Sequence, residues 1–294
     1  MTRPRVGVIL PTRERGLAGD WAVRPLVDFA RRAERLGFDS VWTGDSLTAR
    51  PRLEPLTLLA AVAASTEQVT VGTAAMLPLT RQPIVTAQAI ATLDQAAEGR
   101  LVLGLGAGFP SPDTVAELRI AGMPVTGRVD RLAATVEQWR ELWRGDSLTG
   151  FPRPTSPDGP PLWFAGAGPR GLALAAEQLD GWLPYLPEAG AYAAARATLP
   201  RREDFTAALY VTVLMDDDIE RATKSLDAYV QAYYGAPLEV MTTLQAFVAG
   251  SAAECRARLQ AYAAAGATHF VVRIGSLAAP DLLEETADFL LTPW

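Results

Sequence analysis

The residues best suited to hold a flat ligand are concentrated between Val69 and Gly108. This stretch reads VTVGTAAML, then PLTRQPIVTAQAIATLDQAAEGR, then LVLGLGAG. Two β-branched or aliphatic runs flank one amphipathic helix. Both runs end in small residues: Gly72, Thr73, Ala74 and Ala75 in the first, and Gly104, Gly106, Ala107 and Gly108 in the second. Without bulky side chains the backbone becomes a surface on which a planar ring can lie. Thr73, Ala74, Ala75 and Met76 read as a bulged strand end beneath such a ring. Small-residue packing inside a barrel is the other reading of the same four.

A second group, GAGPRG at Gly166–Gly171, follows an apolar run and opens a helical one. Unpaired N–H groups at a helix start, approached closely because glycine lacks a Cβ, favour an anionic phosphate. Gly166, Ala167, Gly168 and Pro169 would form the cradle, and Arg170 would add charge-assisted bonds. A tight strand-to-helix turn is the alternative. Gly166, Gly168 and Gly171 match the dinucleotide spacing G-x-G-x-x-G, but no acidic residue follows a later strand at the distance that site needs. Asp45 and Ser46, in DSVWTGDSL, fall at another strand end. Asp45 is placed there either to accept a hydrogen bond from a ligand and orient a ring, or to cap a turn. Arg81, Arg128, Arg170 and Arg273 are the cations nearest strand ends or helix starts.

Composition narrows the chemistry. The 294 residues are 49% hydrophobic and 20% charged, enough for a large core. A net charge of −6 disfavours nucleic acid, and no basic cluster of membrane-binding type is present. No apolar run reaches the ~18 residues of a membrane span, and the amino terminus is too weakly apolar for a signal peptide. With one Cys (Cys255) and one His (His269), an ordinary zinc site is excluded and no metal is expected. The single cysteine also points to a cytoplasmic protein. Cys255, in a helical segment, is expected to be inert. His269, at the beginning of a strand, is expected to be structural. Lys224, the only lysine, lies mid-helix, which argues against a Schiff-base enzyme. Asp216–Asp218 reads as a helix cap.

The elements that must position these groups alternate. Short, continuously apolar strands are predicted at Val6–Leu10, Asp39–Thr43, Gln68–Ala75, Leu101–Leu105, Pro161–Ala165, Asp180–Tyr185, Phe205–Leu214 and Thr268–Ile274. Helical spacing separates them, as in Leu26, Phe29, Ala30, Ala33 and Leu36 before the stop at Gly37. Strands apolar on both faces belong to a parallel sheet covered on both sides. Eight of them give a (β/α)8 TIM barrel as the fold, with a doubly wound open sheet as the alternative. No linker or repeat divides the chain, so residues 1–294 read as a single domain. Two Pro/Gly-rich segments, Phe109–Thr126 and Arg144–Pro160, read as loop insertions at the C-terminal face of the strands, where such barrels place their sites.

Taken in order, GFDSVWTGDSL, VGTAAMLPLTRQPIVTAQAIATLDQAAEGRLVLGLGAG, FAGAGPRGLALAAEQLDGW and FVAGSAAECRARLQAYAAAGATHFVVRIG resemble the luciferase-like flavin- or F420-dependent oxidoreductases. The resemblance covers nearly the whole chain. It implies a barrel with a flavin or deazaflavin ring over the strand ends, and a non-prolyl cis peptide at Thr73–Ala74 or Ala74–Ala75 behind it. It also implies a phosphate loop at Gly166–Arg170, and cofactor contacts at Gly106 and Gly108. Many relatives read Asp-His where this chain has Asp45-Ser46, so a histidine acid or base is absent there. Relatives that oxidise a sugar phosphate carry Glu where this chain has Phe109, which points to an apolar substrate pocket. Phe109, Met123, Trp163, Trp182 and Leu183 are its expected lining.

The function read from these features is an oxidoreductase using coenzyme F420 or FMN. It would carry out hydride transfer or oxygenation on a small, largely apolar substrate. The GAGPR loop resembles that of the F420 and methanopterin reductase branch and favours F420. A reduced-FMN two-component monooxygenase, a non-catalytic flavin-binding relative and a lyase or isomerase acting on a phosphorylated substrate are the alternatives. Asp45 and Ser46 are the expected catalytic pair, hydrogen-bonded to ring or substrate. A separate flavin or F420 reductase and a homodimer are the expected partners.

Overall fold

In the computed structural model, residues 3–145 and 148–292 are described. Residues 146 and 147, within the second Pro/Gly-rich segment, and the last residues at each terminus lie outside them. The strands are β1 (Arg5–Ile9), β2 (Ser40–Thr43), β3 (Thr70–Met76), β4 (Leu101–Leu105), β5 (Leu162–Phe164), β6 (Gly181–Trp182), β7 (Thr206–Met215), β8 (Phe247–Gly250) and β9 (His269–Ile274). All pair in parallel. β1 to β7 pair in sequence order, and β9 joins β7 back to β1, closing an eight-stranded barrel with helices outside. The expected (β/α)8 architecture is therefore the observed one, but only the first insertion lies at the C-terminal face. The second connects the helix Arg128–Arg144 to the start of β5, and Thr155 donates to Asp94 near the start of β4, so it sits at the N-terminal face of the strands.

A ninth strand was not expected. β7 uses Thr206 and Ala207 to pair with β6, and Thr212–Met215 to pair with β8. β9 occupies the other edge of β7 from Ala208 to Val213, so β8 adds on the β6 side, beyond that short strand. FVAG is too short and too close to its following helix to announce itself as a strand; only the length of β7 gives it a partner. The first insertion also contains more order than expected, because it forms a helix at Pro112–Ile120. Ser111 caps it by accepting from the Thr114 N–H, and proline fills its first turn.

The burial pattern explains why the strands carry no alternation. One apolar layer fills the barrel: Ile9, Trp42, Val102, Trp163, Leu183, Ala208 and Val271. A larger layer lies between the strands and the helices. The interior indoles fit because glycines face them. A Cβ on Gly72 would lie 2.4 Å from the Trp42 ring, and one on Gly181 would lie 2.4 Å from Trp163. Among helices, Arg24–Leu36 buries Leu26, Phe29, Ala30 and Ala33 as its spacing predicts, and Gly37 ends it with φ 93°. Leu36 is only partly buried.

Candidate active site

One cleft of about 890 Å³ opens at the C-terminal ends of the barrel strands. Its floor on the β3–β4 side is backbone. Ala74 and Ala75 at the end of β3, and Gly106, Ala107 and Gly108 after β4, line it together. The β3–β4 register shifts between Thr73 and Met76, and the Ala74–Ala75 peptide is cis, the second of the two bonds the resemblance named. The Gly106 N–H donates to the Met76 carbonyl at 2.8 Å, tying the two strand ends side by side. A Cβ on Gly106 would lie 3.3 Å from Leu77, so a larger residue there would fill the surface a ring needs.

The next wall is the loop after β5. Gly166, Ala167, Gly168, Pro169 and Arg170 all line the cleft. The helix Pro169–Gln178 begins here with Gly168 as its cap and no side chain bonded to its first turn. Its leading N–H groups therefore keep the partial positive charge that an anion would neutralise. A Cβ on Gly168 would meet nothing within 4 Å, so there is open space over the helix start. Gly171 has another duty: a Cβ there would lie 2.0 Å from the Phe164 ring. Arg170 is exposed and lies 3.7 Å from Asp130. Arg128 also lines the cleft and donates to the Phe109 carbonyl at 3.3 Å. Phe109 lines the mouth and is half exposed.

Several residues singled out in the sequence lie away from this lining. Asp45 Oδ2 accepts from the Leu77 N–H at 2.9 Å, and both Asp45 carboxylate oxygens accept from Arg81. Arg81 in turn donates to Glu54 at 3.1 Å. Asp45 thus holds the segment that leaves the β3 bulge. Ser46 donates to Glu117 at 2.7 Å and accepts from the Arg50 N–H. Glu117 also accepts from the Thr48 and Ala49 N–H groups. Although burial alone would raise the Glu117 carboxyl, these donors hold it below the usual range. Thr73 is fully buried and donates to the Gly104 carbonyl, and Met76 is fully buried. Trp182 does not line the cleft. It is fully buried, and its indole N–H donates to the Gly166 carbonyl at 2.7 Å, bracing the loop from behind. Of the other expected lining residues, Leu183 faces the cleft, whereas Met123 and Trp163 do not.

The remaining wall was not anticipated. Tyr185, Tyr210, Tyr234 and Gln245 line it. They come from the loop after β6, from β7, from the end of the helix Ile219–Tyr234 and from the approach to β8. Tyr210 lies on a strand four places round the barrel from β3, and so faces the Ala74–Ala75 floor across the mouth. Burial pushes the Tyr210 and Tyr185 phenols above their ordinary values. No spacing in the sequence links these four residues; a long β7 and the ninth strand bring them together.

Other groups named from the sequence have structural roles. His269 Nε2 lies 2.8 Å from Ser40 Oγ, which also accepts from the Trp42 indole at 2.7 Å, all inside the barrel. Burial, with Arg5 nearby, pushes the imidazole down to about 3. Cys255 is buried, and its thiol is pushed up to about 11. Asp218 caps the helix Ile219–Tyr234 through the Glu220 and Arg221 N–H groups. Among the described residues no group of three or more His, Cys, Asp or Glu is placed to hold a metal, and no helix is long and apolar enough to cross a membrane.

This geometry agrees with what the chain is similar to. A family described as luciferase-like monooxygenase matches residues 4–269. The chain belongs to that family. A protein of Mycobacterium tuberculosis classed as a coenzyme F420-dependent oxidoreductase is 32% identical over 252 residues, 74% of this chain and 71% of that protein. An F420-dependent glucose-6-phosphate dehydrogenase of Amycolatopsis mediterranei is 31% identical over 188 residues, and the match spans only 54% of that enzyme's length. Among solved structures, an F420-dependent secondary alcohol dehydrogenase superposes with a TM-score of 0.76 at 20% identity, covering 98% of this chain and 99% of that one. The oxygenating constituent of a Pseudomonas putida diketocamphane monooxygenase, in complex with FMN, gives 0.78 at 18% identity, over 99% and 97% of the two chains. At these identities the superpositions establish the shared barrel fold.

Proposed function

We propose that the cleft binds coenzyme F420, with FMN as the second candidate, and that the chain is an oxidoreductase acting on a small, largely apolar substrate. The observation that carries this reading is the pairing of a backbone floor at Ala74, Ala75 and Gly106 with an uncapped helix start at Gly168, on adjoining walls of one cleft. A planar ring fits the first and an anionic tail the second. F420 takes precedence because the curated relatives that match at 31–32% identity carry F420-dependent names. When bound, the cofactor would supply the hydride or oxygen chemistry. The chain's own residues would hold the ring against the bulge and keep the anion at Gly168–Arg170. Apolar lining such as Phe164 and Leu183 would keep water from the reacting face. Asp45, Ser46, Thr73 and Met76 are assigned here to shaping that floor, and Trp182 to bracing the loop. Cytoplasmic residence, for which the single cysteine argues, and a homodimer and a separate reductase that recycles the cofactor, which the family resemblance suggests, complete the reading.

Two substitutions at one position test it. Gly168→Ala adds a Cβ into open space, and its cofactor affinity should match the parent within about twofold. Gly168→Asp places a negative charge at the helix start, and affinity for the anionic cofactor should fall about tenfold or more, by less at high salt. Equal affinity in both variants would remove the helix start from the cofactor site.

A further inference from the structure

Arg273, on β9, is 4% exposed and its Nε has no hydrogen-bond partner. None of the ion pairs among the described residues includes it. A buried cation without a carboxylate is costly and needs another explanation. Its charge is met by aromatic faces, with the guanidinium carbon 4.0 Å from the Tyr233 ring centroid and 5.1 Å from that of Tyr210. It makes one directed bond here: Nη1 donates to Tyr234 Oη at 2.9 Å. Tyr234 donates onward to Gln245 Oε1 at 2.9 Å. Arg50 lies 5.2 Å from the Tyr234 ring centroid, adding a second positive charge. Tyr234 and Gln245 line the cleft, on the side across from the Ala74–Ala75 floor.

We propose that Tyr234, polarised by Arg273 and aimed by Gln245, binds the substrate oxygen, so that the cleft takes an alcohol or its matching ketone on an apolar body. This rests on the oxidoreductase reading above. Tyr234 has one lone pair on Arg273 and its proton on Gln245, which leaves a second lone pair for a ligand hydroxyl. Turning the hydroxyl about its C–O bond delivers the same proton to a ligand carbonyl. In ketone reduction, a bound reduced deazaflavin or flavin would supply the hydride for the new C–H bond. The carbonyl π pair moves onto oxygen and takes the Tyr234 proton. The phenolate left beside Arg273 is then reprotonated by water from the cleft mouth, and alcohol oxidation runs the same transfers in reverse. A donor backed by a fixed buried charge stabilises the oxygen as negative charge develops on it. Tyr234 is then a catalytic residue, and Arg273 and Gln245 are positioning residues.

The test uses three ligands of one shape: cyclohexanone, cyclohexanol and methylenecyclohexane. The last replaces the carbonyl oxygen with a carbon. Their dissociation constants are measured by intrinsic fluorescence titration of the full chain, with and without saturating oxidised F420 or FMN. The two oxygen-bearing ligands should bind the parent about tenfold more tightly than methylenecyclohexane, the size of one hydrogen bond to a charge-polarised donor. Tyr234→Phe should reduce that preference to less than twofold while leaving methylenecyclohexane and cofactor affinities unchanged. Arg273→Lys should keep part of the preference and Arg273→Met should lose it. Should the Arg273 variants fail to fold, Gln245→Leu supplies the second reading, with a shifted preference expected. A parent with no preference, or a preference that survives Tyr234→Phe, overturns the proposal. Failure of both cofactors to bind the parent would instead strike the oxidoreductase reading, with the ligand preference still scored by itself.

Discussion

At the scale of the residue, the two carboxylate clusters near the cleft hold backbone in place. Asp45 fixes Leu77 and Arg81 just beyond the β3 bulge. Asp45→Asn removes one charge from a largely buried pair and should cost roughly 2–4 kcal/mol in denaturant unfolding. It should also weaken cofactor binding, because the floor is continuous with the segment it holds. A stability equal to the parent's would show that Arg81 and Glu54 hold the segment without it. His269 makes a prediction with a definite sign. Its folded value of about 3 lies below the ordinary 6.5. Between those two limits the unfolded chain binds a proton that the folded chain refuses. Its contribution to stability is therefore whole above about pH 6.5 and lost as the pH falls. The parent should lose up to about 1.4 kcal/mol per pH unit below 6.5 relative to His269→Asn. A stability gap between the two proteins that is the same at pH 7.5 and pH 5 would contradict this.

At the scale of the element, three separate features agree at the loop after β5 that we propose holds an anion. Pro169 starts a helix with no side-chain cap, Gly168 leaves space above it, and Trp182 holds the Gly166 carbonyl from inside. Trp182→Phe keeps an aromatic ring but leaves that carbonyl unpaired. We expect it to unfold about 1–3 kcal/mol more easily and to bind cofactor several-fold more weakly, whereas a variant that loses stability alone would separate the indole from the loop's function. The loop glycines were legible in the sequence as a helix start open to an anion, but their division of labour was not. Gly168 is open, while Gly171 is required by the nearby Phe164 ring. Spacing cannot separate these roles, since both read as glycine in a strand-to-helix turn. The helix Pro112–Ile120 was legible through Ser111 and Pro112 and was obscured by the Pro/Gly content around it.

At the scale of the whole molecule, the barrel followed from continuously apolar strands alternating with helices, and the β3–β4 floor from small residues at two successive strand ends. Those signals are local, so a sequence carries them. The polar wall is different in kind. Tyr185, Tyr210, Tyr234 and Gln245 are spread over sixty positions of the chain, and barrel closure with the added β8 brings them to one cleft. Trp182 was expected in the cleft for a related reason: inward and outward residues alternate along an extended chain, and Trp182 at the end of β6 lies behind the cleft wall while Leu183, the next residue, lines it. The tight interior gives a global prediction. Gly72→Ala would bring a Cβ within 2.4 Å of the Trp42 ring and should lower stability by at least about 1–3 kcal/mol, measured by thermal unfolding. Full stability in that variant would mean the barrel interior relaxes more freely than its packing implies.

The central claim is that the cleft between the β3 bulge and the Gly168 helix start is a cofactor site. The measurement that tests it most directly is equilibrium titration of the purified parent chain with F420 and with FMN, oxidised and reduced, followed by cofactor fluorescence. Micromolar or tighter binding of F420, with FMN weaker, is the predicted result. Preference for reduced FMN would move the enzyme to the oxygenating side of its family, while binding of neither would contradict the account.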